Sequence, residues 1–149
     1  NAQQAYREAA SVLEQRGQLG AAATVEGYLA QVYRAQGEQA RAHGLLLKAL
    51  EQAQRADDEQ SCLSIIVRYA ELLAPTAPGE ARTFAALVAA HPSSDEGDRN
   101  LAQRLCDGGL CDGGLCDGGL CDGGRSTPVL SLDEAVDTLL IRDNAQRAD

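Results

Sequence analysis

The chain has no Met and no Trp, one Phe, a single Lys at position 48 and two His in 149 residues. Aromatic residues make up only 3%, so any core must be assembled from Ala, Leu, Val and Ile. Side chains that small favour closely packed helices. The scarcity of histidine argues against catalysis, because Ser-His-Asp, Cys-His and zinc-type His clusters all require it. His43 and His91 fall in separate segments, and neither sits in a recognisable motif. His43 is expected on a helix, partly exposed, and His91, beside Pro92, at a helix end. A phosphate cradle is excluded in turn, since no glycine-rich stretch is followed by a Lys-Ser or Lys-Thr step. The chain is therefore expected not to be an enzyme. Cations are outnumbered throughout: a net charge of -9 and a pI near 4.6 oppose attraction to nucleic acid and to anionic membranes. No apolar run approaches the roughly 20 residues of a membrane span. Residues 1–20 lack the basic start and apolar stretch of an export signal. The expectation is a soluble, cytoplasmic protein, and the missing initiator Met suggests a piece of a longer one.

What is present is helical pattern. A hydrophobic content of 44% over 149 residues suits one domain with a real core. Apolar residues recur at helical spacing in 5–15 (Ala5, Ala9, Val12, Leu13), then in 21–35 (Val25, Tyr28, Leu29, Val32, Tyr33). A third helix is predicted over 38–55, with Ala42, Leu46, Ala49, Leu50 and Ala53 inward. Gly17, Gly20 and Gly37 mark turns, as does the Asp57-Asp58 pair. The next helix, 59–73, is apolar around much of its circumference and should be central. Pro75 and Pro78 stop it, a fifth helix follows over 79–90, and Pro92 ends that one. Ser93 and Glu96 have the spacing of a capping box that would open a sixth helix reaching Leu105.

Displacing the chain by 40 residues lays Ala9 on Ala49, Ala22 on Cys62, Val25 on Ile65, Leu29 on Tyr69 and Val32 on Leu72. A two-helix unit repeated at that interval is the mark of an α-solenoid. Within 22–54, Leu29, Ala30, Tyr33, Gly37, Ala42, Leu46 and Ala49 are spaced as in a tetratricopeptide repeat (TPR), and the chain resembles that family over about two thirds of its length. The longer 40-residue spacing is similar to the helical arm of bacterial signalling ATPases and LuxR-type, maltose-regulator-like transcription regulators. The stretch 130–136, Leu-Ser-Leu-Asp-Glu-Ala-Val, looks like the segment that follows such arms. The resemblance implies an all-α, TPR-like solenoid of antiparallel helix pairs whose concave groove binds a protein or peptide. Carried over position by position, it puts Thr24, Gln31 and Arg34 in the groove of the first unit and Ser64, Val67 and Glu71 in the next. Arg34, with its forked donors, suits a partner carboxylate.

Four tandem copies of Leu-Cys-Asp-Gly-Gly occupy 105–124 without a substitution. Cys106, Cys111, Cys116 and Cys121 are enough thiolates for a tetrahedral zinc site. Their even spacing, with two glycines in every interval, lacks the close ligand pairs of structural zinc sites. Ordering such a chain costs on the order of 1 to 2 kcal/mol per residue. The Asp spacing matches no calcium loop, Gly follows Asp where a five-residue β-solenoid wants a large apolar residue, and a reducing cytosol disfavours disulfides. The preferred reading is a glycine-rich spacer, and Cys62 belongs to the core. Beyond it, Ser131 and Glu134 repeat the capping-box spacing ahead of an apolar face of Ala135, Val136, Leu139 and Leu140. This last helix is expected to cap the solenoid. The expected organisation is thus a TPR-like helical domain over 1–104, a tandem-repeat linker over 105–125 and a C-terminal helix over 126–149. Two functions stay open: a non-catalytic interaction scaffold within a signalling or regulatory protein and, as the alternative, a metal- or redox-responsive module working through the four repeated cysteines, with zinc as cofactor.

Overall fold

A computed structural model of the chain describes residues 2–109 and 131–148. Among them are seven α-helices and one π-helical turn, with no strand. The helices are α1 (Ala2–Gln15), α2 (Leu19–Ala35), α3 (Gln39–Arg55), α4 (Glu59–Leu73), α5 (Pro78–Ala90), α6 (Glu96–Arg104) and α7 (Leu132–Ala148).

The three turns that join α1 to α4 are built alike. Gly17, Gly37 and Asp57 adopt left-handed backbone, with φ of 76°, 82° and 56°. In each turn the left-handed residue donates its N–H three residues back, and its successor donates five back: Gln18 to Leu13, Glu38 to Tyr33, Asp58 to Ala53. That pairing satisfies helix-end carbonyls that otherwise have no partner. The left-handed residues fall twenty apart, and α2, α3 and α4 accordingly begin at 19, 39 and 59. Proline breaks the pattern at the fourth turn, where Pro78 takes the first position of α5.

From α1 to α6 every helix packs on the next, α2 also touches α4, and α4 touches α6. The even-numbered helices thus form a row, an arrangement consistent with a helical repeat. At the centre lies α4, in contact with α2, α3, α5, α6 and α7. All residues from Ser61 to Val67 are buried, as the all-round apolar pattern predicts. The five inward residues expected of α3 are buried too, and Cys62 is in the core at 5% exposure. Tyr69 meets Phe84 edge-on at 6.2 Å between ring centroids.

Four expectations need correction. Val12 and Tyr28, placed on apolar stripes, are 44% and 39% exposed. The cap of α6 is Asp95, whose Oδ1 accepts from the Asp98 N–H at 2.7 Å. A charged acceptor binds that amide more strongly than the Ser93 hydroxyl, which instead donates to Glu59 Oε1 at 3.1 Å. The stretch assigned to a linker from residue 105 opens as the π-helical turn Leu105–Gly109, continuing α6. The rest of that block, 110–124, lies outside the described residues. Finally, α7 docks on α3 and α4 rather than over the last helix pair. Small side chains at Ala53 and Cys62 leave room there, and Leu132 and Val136 line the same recess. The capping box of α7 does form, with the Glu134 N–H donating to Ser131 Oγ and the Ser131 N–H to Glu134 Oε1, both at 3.1 Å.

Two substitutions test the turns. A Cβ on Gly20 would lie 2.3 Å from Asp58 Oδ2 and displace the α4 cap. Gly20→Ala should therefore cost about 1 to 2 kcal/mol in urea unfolding. Asp57→Gly removes a side chain from left-handed backbone and should add up to about 1 kcal/mol at unchanged m-value.

Candidate functional site

The face with the most converging polar side chains is the seam where α2 and α4 lie side by side. At its start the chains come close enough for α2 to help cap α4. Asp58 Oδ1 accepts from the Ser61 N–H at 3.1 Å. Ser61 Oγ lies 3.0 Å from the Gly20 carbonyl oxygen, 2.9 Å from Asp58 Oδ2 and 3.0 Å from Thr24 Oγ1. One turn further, the Arg68 stem crosses α2 at Gly27, where a Cβ would fall 3.4 Å from Arg68 Cδ, at ordinary contact distance. The guanidinium then rests 4.8 Å from the centroid of the Tyr28 ring, a cation–π contact. At the far end, Glu71 on α4 takes donors from both Gln31 and Arg34 of α2. Arg34 Nη2 reaches its Oε2 at 3.3 Å, and Gln31 Nε2 donates to its Oε1 at 3.3 Å.

Thr24, Gln31, Arg34 and Glu71 are half-buried and so reachable. Ser64 and Val67, assigned to the same groove, are 7% and 0% exposed. Val67 presents no surface to a partner, because α4 is covered on several sides at once. Arg68 and Tyr28 complete the seam; Arg68 was not singled out from the sequence, and Tyr28 was read as part of an apolar stripe. The available signal was Arg68 itself, the one charged residue from 60 to 70. The Nε atoms of Arg34 and Arg68 are buried with no hydrogen-bond partner. The buried Asp98 of α6 lies near Arg68 and Ser64. Burial raises its carboxyl pKa, with Asp95 adding to the rise and Arg68 opposing it.

The two histidines take structural places. His43 Nε2 lies 2.8 Å from the Tyr69 hydroxyl, linking α3 to α4, and His91 ends α5 with its Nδ1 accepting from the Ser93 N–H at 3.0 Å. Of the four cysteines considered for zinc, Cys106 is buried at 8% exposure. Burial pushes its thiol pKa up, away from the thiolate a metal needs. Cys111, Cys116 and Cys121 lie outside the described residues. No cluster of three or more His, Cys, Asp or Glu that could hold a metal occurs among the described residues. The Cys62 thiol is pushed up to about 11, by burial first and then by Asp58, Glu59, Asp57 and Asp133. No described helix is long and apolar enough to cross a membrane.

No family model, curated protein or solved structure matches this chain.

The most perturbed carboxyl of the first helix pair is Glu26, 2% exposed on α2. Its pKa is pushed up to about 7, by burial first and by the adjacent Glu14, with Lys48 Nζ at 3.7 Å pulling the other way. A native carboxyl that holds its proton more tightly than the unfolded chain stabilises the fold at low pH. That contribution is complete below about pH 4.5 and is lost as pH rises through about 7. Urea titrations should show stability declining across this window by on the order of 2 kcal/mol. Glu26→Gln should flatten the decline and be the more stable protein at pH 8.

Proposed function

We propose that this chain is a non-catalytic scaffold of TPR-like solenoid type, and that the α2–α4–α6 row binds a protein or peptide. The observation that carries the reading is the α2–α4 seam. A forty-residue offset brings Gln31, Arg34, Arg68 and Glu71 together on one reachable face. Two arginines, two acceptor-rich groups and an exposed tyrosine are the ingredients of protein recognition hot spots, whereas the seam's hydroxyl–carboxylate pair, Ser61 with Asp58, is engaged in capping α4, with Ser61 buried. The resemblance to helical arms of bacterial signalling ATPases and LuxR-type regulators supplies a context, in which partner binding on the arm is passed to an output domain.

The Arg34–Glu71 pair offers a clean test. In the double variant Arg34→Glu, Glu71→Arg the ion pair can reform with its charges exchanged, so the fold keeps its seam while the surface reads in reverse. The side chains are 36% and 21% exposed, so the stability difference should stay within about 1 kcal/mol. Partners retained by the wild-type chain in affinity capture should be lost from the double variant. An identical set of partners would remove this face from consideration.

A further inference from the structure

A second face of α2 points away from that seam, toward α1 and α3. There the two odd-numbered helices flank an open cleft of about 490 Å3, with Leu29 and Tyr33 as its floor and Arg41, Gly44, Leu45 and Lys48 along α3. Three cations meet in this cleft, although the whole chain carries a charge of -9. Two of them crowd one ring: the guanidinium carbons of Arg7 and Arg41 lie 5.8 and 5.5 Å from the Tyr33 centroid. The Tyr33 hydroxyl accepts from Arg7 Nε at 3.1 Å and from Arg7 Nη2. Among the described residues Arg7 has no carboxylate partner, Arg41 has a 3.6 Å contact to the exposed Glu38 on its own helix, and Lys48, itself 54% exposed, has a 3.7 Å contact to the buried Glu26. Two like charges held against one ring repel each other, and an anion placed between them relieves that repulsion.

Gly44 is the independent observation. It lies mid-helix, between Arg41 and Lys48, and a Cβ there would meet nothing within 4 Å. A glycine in a helix interior costs stability relative to alanine, and no packing contact explains its presence here. Without a Cβ, α3 presents bare backbone to the cleft at this position.

We propose that this cleft docks an acidic peptide segment of a partner protein. A carboxylate enters between Arg7 and Arg41, a second reaches Lys48, the peptide backbone lies along Gly44, and an apolar side chain rests on Leu45. The spacing fits a chain in polyproline II conformation. Seven residues of helix set Arg41 and Lys48 roughly 10 Å apart, and a three-residue turn at roughly 3.1 Å per residue puts carboxylates three positions apart on one side, roughly 9 Å from each other. The apolar floor and the length of the cleft favour such a segment over a lone phosphate, which would engage one end only.

The test uses a fluorescein-labelled peptide with Glu at every third position and Leu between, against the same peptide with Gln for Glu, read by anisotropy. The Glu peptide binds the full chain and the Gln peptide does not. Arg7→Ala, Arg41→Ala weakens binding at least about tenfold, the scale of one charge-assisted contact. Gly44→Gln weakens it as well while the melting temperature is held or raised, since the site is exposed and gains a helix former. The Arg34→Glu, Glu71→Arg exchange leaves it unchanged, which separates this cleft from the α2–α4 seam. Equal binding of both peptides, no binding of either, or an affinity indifferent to Arg7, Arg41 and Gly44 would overturn the proposal. So would displacement of the peptide by inorganic phosphate as effectively as by unlabelled Glu peptide, which would make the cleft a free-anion site.

Discussion

A residue in left-handed backbone every twenty positions is the constraint on which the rest of this structure depends. Gly17, Gly37 and Asp57 end three successive helices by the same pair of backbone hydrogen bonds, and so fix where each following helix starts. Two such steps make forty residues, the interval that sets α2 beside α4. A shift of one residue in either step would rotate α4 by about 100° against α2 and separate Thr24 from Ser61 and Arg34 from Glu71. The fourth step is different, because proline at 75 and 78 forbids the same turn. Accordingly α5 begins at Pro78, one residue ahead of the twenty-residue spacing.

With the phase set, burial decides the rest. The central helix α4 has neighbours on nearly all sides, and its aliphatic run from Leu63 to Val67 has at most 1% exposure at each apolar position. The polar residues of the seam are left where the even-numbered row meets solvent. They satisfy one another across helices rather than along one: Thr24 with Ser61, Gln31 and Arg34 with Glu71, Tyr28 with Arg68. The same pairs that align the helices are those the proposed partner would contact. Recognition as proposed would have to compete with these internal contacts, which favours a partner that engages several positions at once. The α1–α3 cleft differs, since its arginines converge without a carboxylate between them.

Much of the helical architecture could be read from residue order, for physical reasons that differ by element. The inward face of α3 was legible because Ala42, Leu46, Ala49, Leu50 and Ala53 repeat at helical spacing beside polar neighbours. The central place of α4 was legible from its lack of a polar face. Tyr28 misled because an aromatic ring at an apolar position can serve as a platform for a cation from another helix, and periodicity does not encode Arg68. The α6 cap misled because two acceptors two residues apart, Ser93 and Asp95, compete for the same helix end, and charge favours the second. The docking place of α7 was hidden because its apolar face fits any apolar recess. Only the three-dimensional juxtaposition of Ala53 and Cys62 selects one. Of the residues assigned to a groove, Gln31, Arg34 and Glu71 are polar and half-buried at the α2–α4 seam, while Val67 belongs to the run that α4 buries.

The measurement closest to the centre of this account is a disulfide across the α2–α4 seam. Thr24 and Ser61 hold their hydroxyl oxygens 3.0 Å apart, so cysteines there, with the native cysteines replaced by serine or alanine, fall within reach of one another. Mild oxidation of the folded Thr24→Cys, Ser61→Cys chain should close an intramolecular bond, seen as a two-proton loss by intact mass and a raised melting temperature. A folded, helical chain whose two thiols stay free under those conditions would contradict the forty-residue pairing of α2 with α4, and with it the seam that the functional reading rests on.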